Sequence, residues 1–138
     1  RPVETTGELS RIVEDAVGGS MPQKSKARIF QALRIAVNDE IGELRAGLDG
    51  ALAILKPGGR LLVIAYHSIE DREVKSFMRD RANPCICPKD FPECGCGRRA
   101  ELTIVTKRPI RPTGAEISAN DRARSAILRA AQKTGRTG

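Results

Sequence analysis

The spacing of apolar positions along this chain changes period several times, and each change marks an element. Around "PVETTGELSRIVEDA" (residues 2–16), Leu9, Ile12, Val13 and Val17 recur at helical spacing. Thr5 or Thr6 is placed to cap that helix, with Glu8 near its third position. "GGSMPQKSK" (18–26) reads as a breaker and linker. From Ala27 a long helical pattern resumes, in which Val37, Ile41, Leu44, Leu48, Leu52 and Leu55 fall on one stripe. Asn38 or Asp39 is placed to cap a second helix after a break, with Asp39, Glu40 and Glu43 early, where the helix dipole favours acids. Gly42, Gly47 and Gly50 weaken this helix intrinsically, so packing must hold it.

Pro57-Gly58-Gly59 ends the pattern, because proline cannot continue a helix and glycine accepts positive φ. Leu61 to Ala65 is a short apolar run with β-branched members, which predicts a strand buried on both faces, as in a parallel sheet under helices. "SIEDREVKSFMRDR" (68–81) reads as a helix capped by Ser68 with Asp71 three positions on, and with Val74, Phe77 and Met78 facing inward. Residues 83–99 form a cysteine-rich loop, and "ELTIVTK" (101–107) alternates like a strand. A proline-punctuated connection follows, with one helical turn at Ala115 to Ala119. The local pattern of "SAILRAAQK" (125–133) leaves helix and strand both open. Helix, tight turn, strand and helix in succession is the alternation of an α/β domain.

Composition narrows the class. At 138 residues the chain is large enough to bury a real core. Its longest apolar run, Leu61 to Tyr66, is far too short to cross a membrane, and no secretory leader is recognisable, so the expected location is cytoplasmic and no membrane partner is expected. It begins with Arg1 rather than Met, as expected of a piece of something longer. Charge is unevenly placed. Residues 1–71 hold 9 Lys/Arg against 10 Asp/Glu, and residues 72–138 hold 15 against 7, so the net charge of +7 comes from the second half. That excess points either to a polyanion such as nucleic acid or to a solvated basic surface. With no Trp, one Tyr and three Phe, the chain has little with which to stack single-stranded bases.

In open α/β sheets, ligands sit beyond the carboxyl ends of the strands. The apolar run stops at such an end and delivers His67, Ser68, Glu70, Asp71 and Arg72 together. The following helix points its N-terminus at the same crevice. His67 suits a hydrogen-bonding or proton-accepting role near neutral pH. In the opposing reading, Ser68 and Asp71 only cap the helix and His67 satisfies a loop carbonyl.

Four strings, "RIFQALRIAVNDE", "LKPGGRLLVIAYHSIEDREVK", "CICPKDFPECGCGRRAELTIVTKRPIRPT" and "ANDRARSAILRAAQK", occur in this order over nearly the whole chain. Together they closely resemble the carboxyl-terminal part of the bacterial 16S ribosomal RNA cytosine-N4 methyltransferase family. Asp121 stands where that family usually has proline. The resemblance implies the C-terminal half of a Rossmann-like class I methyltransferase sheet with flanking helices, plus the tail of an inserted helical domain. It would make residues 1–24 that tail and 25–138 the methyltransferase portion. Residues 60–66 would be the fifth strand, and 101–107 and 125–133 the last two. It also implies S-adenosylmethionine as cofactor, 16S rRNA of the small ribosomal subunit as partner, and methylation of the exocyclic amine of a cytidine in the decoding region. The family's glycine-rich cofactor loop and first four strands lie before the segments matched here, so no cofactor-binding residues are expected in this chain, which is expected to be inactive alone.

A cytosine amine delocalises its lone pair into the ring. An enzyme must hold it by its protons, turn the lone pair toward the methyl donor and accept a proton late, with the base drawn out of its stack. His67, Asn38 and Ser68 are the candidate catalytic residues on this resemblance. Gln31, Arg34, Glu70, Asp71, Arg72 and Lys75 are candidates for binding the substrate base and its phosphates. Arg108, Arg111, Arg122, Arg124 and Arg129 are candidates for lining the RNA approach. A bare strand edge, if the fourth strand is missing, predicts a homo-oligomer or a covering helix.

Cys85, Cys87, Cys94 and Cys96 form two C-x-C pairs. In a reducing cytosol disulfides are disfavoured, which leaves a tetrahedral zinc or a reduced loop clamped by Pro84, Pro88 and Pro92. C-x-C is tighter than the usual C-x₂-C knuckle, and the resemblance implies no metal requirement, which tips the balance slightly to the metal-free loop. Two other function classes compete with the enzyme: a non-catalytic basic RNA-binding module, stapled or not by zinc, and a purely structural piece.

Overall fold

The computed structural model of the chain describes residues 2–18, 22–88 and 93–135. Gly19 to Met21 of the inferred linker, and Phe91 and Pro92 of the cysteine loop, lie outside the described residues. The chain divides into two compact units, residues 1–42 and 43–138.

The first unit is helical. α1 (Thr6–Val17) starts where Thr5 Oγ1 accepts the Glu8 N–H at 3.1 Å and stops at Gly18, whose φ of 57° a side chain would resist. Val13 is its buried residue, and Glu14 ion-pairs with Lys26 of α2. α2 (Pro22–Val37) begins earlier than the sequence predicts, so residues 22–26 are helix and not linker. Proline is tolerated in a first turn, where its missing N–H has no partner to lose. The break anticipated near Asn38 is present: Asp39 adopts a φ of 47° and α3 (Glu40–Ile54) starts after it. That break removes Val37 from the helical stripe and leaves it 81% exposed.

The second unit is mixed α/β around a small antiparallel sheet. β1 (Arg60–Ala65), β2 (Leu102–Ile104) and β3 (Ile127–Lys133) lie in the order β1-β3-β2. Both pairings are antiparallel, with Leu61 opposite Ala131, Ala65 opposite Ile127 and Leu102 opposite Lys133. α4 (Ser68–Ala82) follows β1, and α5 (Gly114–Ala119) and a 3₁₀ turn (Asp121–Ser125) precede β3. Leu48 and Leu52 of α3, Val74 and Met78 of α4, and Leu61, Leu102 and Ala131 of the sheet form one core. Leu44, Leu55 and Phe77 pack against it, as the helical stripes require. The 125–133 segment thus resolves as a strand, and 101–107 contributes only three residues to the ladder.

One expectation for β1 is overturned. Its pairing is antiparallel, and it is buried on one face only: Leu61 and Ala65 point into the core while Leu62 and Ile64 are 58% and 54% exposed. The apolar run reflects a second apolar face that no described residue of this chain covers, not two covered faces. The Pro-Gly-Gly turn performs as predicted. Gly58 adopts φ 80° and donates to Lys133 O at 2.9 Å, and Lys133 N–H returns a bond to Gly59 O at 2.8 Å.

Candidate active site

The end of β1 is built by backbone bonds. Tyr66 and His67 follow the strand, and α4 opens at Ser68. The cap is His67, not Ser68 as predicted: His67 Nδ1 accepts the Glu70 N–H at 3.2 Å. Glu70 Oε2 in turn accepts the N–H groups of Tyr66 at 2.9 Å and His67 at 3.3 Å, which completes a reciprocal box one residue upstream of the predicted one. A Nδ1 that accepts carries no proton, so the imidazole proton sits on Nε2. That atom lies 3.1 Å from Glu70 Oε1 but out of line for a hydrogen bond, and it is buried with no hydrogen-bond acceptor among the described residues. An N–H held in that way is a donor waiting for a partner.

Asp71, released from capping, reaches Arg129 of β3 through two bonds of 2.6 and 2.9 Å. The Arg129 guanidinium holds the Asp71 carboxyl below its ordinary range against the opposing effect of burial, and Arg111 and Lys75 add attraction. Arg129, raised in return, is therefore committed to the fold and stands apart from the exposed arginines with which the sequence grouped it. Ser68, Arg72 and Lys75 are exposed. Lys75, Arg79, Lys107 and Arg129 rim a depression of about 140 Å³ with Ile104 and Thr106. A second depression, of about 180 Å³, lies on the uncovered sheet face against Ile64, Leu128, Ile110 and Arg111. His67 lines neither.

In the first unit, Arg34 grips Glu40 through bonds of 2.8 and 3.2 Å, and Asn38 Nδ2 donates to the same carboxylate at 3.4 Å. Two of the three predicted residues there thus converge on one acid, and Gln31 is half-buried on α2. Sequence reasoning missed the ties that set α4 in place: Arg45 to Glu73 at 2.6 and 3.0 Å, and Arg81 to Asp49 and Glu101 at 2.6 and 2.8 Å. Such pairs, 20 to 32 residues apart, leave no local signal.

Residues 1–134 match the MraW methylase family. The chain belongs to that family. It is 52% identical over 136 residues to the ribosomal RNA small subunit methyltransferase H of Symbiobacterium thermophilum, a match covering 96% of this chain and 43% of that protein. The proteins of the same name from Carboxydothermus hydrogenoformans and Thermomicrobium roseum are each 50% identical, over 96% and 100% of this chain and 43% of their own lengths. The chain therefore spans less than half the length of the curated relatives it matches.

In this member of the MraW methylase family, Arg108, Arg111, Arg122 and Arg124 are all exposed. Asp121 ion-pairs with Arg124 at 2.5 Å. No helix among the described residues is long and apolar enough to cross a membrane. The turn at Gly58-Gly59 is closely packed, since a Cβ on Gly59 would fall 2.8 Å from Leu55 Cγ and Lys56 O.

The four cysteines are free thiols whose sulfurs all lie within 4.8 Å of one another. The Cys96 N–H draws the Cys94 thiol down, but its contacts with the Cys96, Cys85 and Cys87 thiols prevail and push it up to about 11. Hydrogen bonds from the Ile86 and Arg98 backbone, with the Cys94 thiol, draw Cys96 down to about 6.

Proposed function

We propose that the protein carrying this chain methylates N4 of a cytidine in the decoding region of 16S rRNA, and that this chain supplies its substrate side. Membership of the MraW methylase family over residues 1–134 carries the reading. The names of its relatives favour a ribosomal RNA of the small subunit as substrate. S-adenosylmethionine would supply an electrophilic methyl group. In this reading β1, β3 and β2 end a Rossmann-like sheet, the uncovered face at Leu62 and Ile64 meets the rest of that domain, and residues 1–24 close an inserted helical domain.

The chain's own residues would act on the base and its backbone. Nδ1 of His67 is occupied by the helix cap and its Nε2 is buried, so this residue would hold the strand end in place beside the pyrimidine and would not act as the base. Asn38 would hold the amine and Ser68 would contact the flipped nucleotide. Gln31 would add to the base contacts, and Glu70 and Asp71 would keep the strand end in position. Arg34, Arg72 and Lys75 would take phosphates, and Arg108, Arg111, Arg122 and Arg124 would line the RNA approach.

The whole protein, incubated with labelled S-adenosylmethionine and small-subunit particles, should yield N4-methylcytidine at one position. Label on another base, or none on any rRNA substrate, would defeat the proposal. The concentration of 15 of the 24 Lys/Arg in residues 72–138 favours a second reading, a non-catalytic RNA-binding module. That module would bind RNA with salt-sensitive affinity and transfer no methyl group.

A further inference from the structure

The described residues between α4 and β2 have no core to order them. From Arg79 to Glu101 no described residue is buried, and Ile86 is 66% exposed. A connection this long whose described residues form no helix or strand is ordinarily functional or disordered. Yet it brings four sulfurs to one point. Cys94 Sγ lies 3.6 Å from Cys85, 3.9 Å from Cys87 and 3.4 Å from Cys96, and Cys96 lies 3.9 Å from Cys85. A tetrahedron of sulfurs about 2.3 Å from a zinc ion has edges of about 3.8 Å, which these distances bracket. A disulfide pairing would not call for Cys94 to lie against three other sulfurs at once.

We propose that Cys85, Cys87, Cys94 and Cys96 bind one zinc ion through all four sulfurs. Soft sulfur donors in a tetrahedron select zinc or iron over magnesium and calcium. Cys85 and Cys94 are solvent-exposed, where an iron–thiolate centre is open to oxidation and redox-silent zinc is not. Four protein ligands leave no open coordination position, so the ion is structural. It staples the loop in place of the missing core, and the thiol protons pass to solvent as it binds. Arg98 and Arg99, both exposed, are placed to offset the net negative charge of a tetrathiolate zinc.

The test does not depend on methyl transfer. The whole protein, purified without a polyhistidine tag in reductant, is incubated with zinc, gel-filtered and assayed for metal. About one zinc per chain is expected, falling below about a tenth of an equivalent in the Cys94→Ser, Cys96→Ser double variant. In the wild type, the four thiols should resist a thiol reagent until a strong chelator is added. The 83–99 loop should then become protease-sensitive. Less than about a tenth of an equivalent in the wild type, stoichiometric iron instead of zinc, full zinc retention by the double variant, or four freely reactive thiols in the zinc-treated protein would each overturn the proposal.

Discussion

Replacing Asp71 with Asn removes one charge from the tie between the first turn of α4 and the middle strand of the sheet. The two bonds, 2.6 and 2.9 Å long, join side chains that are 18% and 12% exposed. Hydrogen bonds to charged groups contribute about 1.5–3 kcal/mol each, and breaking a fully buried pair costs about 3–5 kcal/mol. Asn keeps one acceptor, and water still reaches this pair, so Asp71→Asn should cost about 2–3 kcal/mol at neutral pH. The effect must depend on pH in one direction. The folded carboxyl titrates below its unfolded value of about 3.9. The unfolded chain therefore binds more protons as pH falls toward that value, and the stabilisation is fully present above it. It disappears as pH drops through the lower folded value. Urea titrations of wild type and of Asp71→Asn, Arg129→Met and the double variant, at neutral pH and in steps down to strong acid, measure this directly. The gap between wild type and Asp71→Asn should narrow in acid, and the double-variant cycle should show coupling well above the ~0.5 kcal/mol expected of independent sites. Equal stability of wild type and Asp71→Asn at neutral pH, or a gap that widens in acid, would refute the bridge's role.

Other outcomes follow from the same geometry. His67→Ala should lose about 1 kcal/mol of stability by urea titration and His67→Asn should recover most of it, since Asn caps helices well. Gly58→Ala should destabilise by about 1–2 kcal/mol, because φ 80° is costly for a residue with a Cβ. The chain in isolation should self-associate through the uncovered side of β1. Light scattering should show this, and Leu62→Lys with Ile64→Lys should reduce it; a monomer at high micromolar concentration would count against it.

Local pattern carried the elements, while non-local contacts carried the site. The stripe Leu44, Leu48, Leu52 and Leu55 identified the buried face of α3 because a helix repeats every 3.6 residues whatever it packs against. The run Leu61 to Ala65 predicted a strand but not its surroundings: apolar residues on both faces say that both are to be covered, not by what. The α4 cap was displaced by one residue because histidine is not among the usual N-cap residues, although its Nδ1 accepts as an oxygen does. The Asp71–Arg129 pair spans 58 residues and was invisible for that reason. Convergence of the four sulfurs likewise depends on how the loop folds back, which the C-x-C spacing does not encode.

The assignment of this chain to the substrate side of an RNA methyltransferase is tested most directly by crosslinking. Small-subunit RNA carrying a photoreactive cytidine at the methylated position, bound to the whole protein and irradiated, is digested and mapped by mass spectrometry. Adducts should fall on residues 31–38 and 67–75. Adducts confined to parts of the protein outside this chain would contradict the assignment.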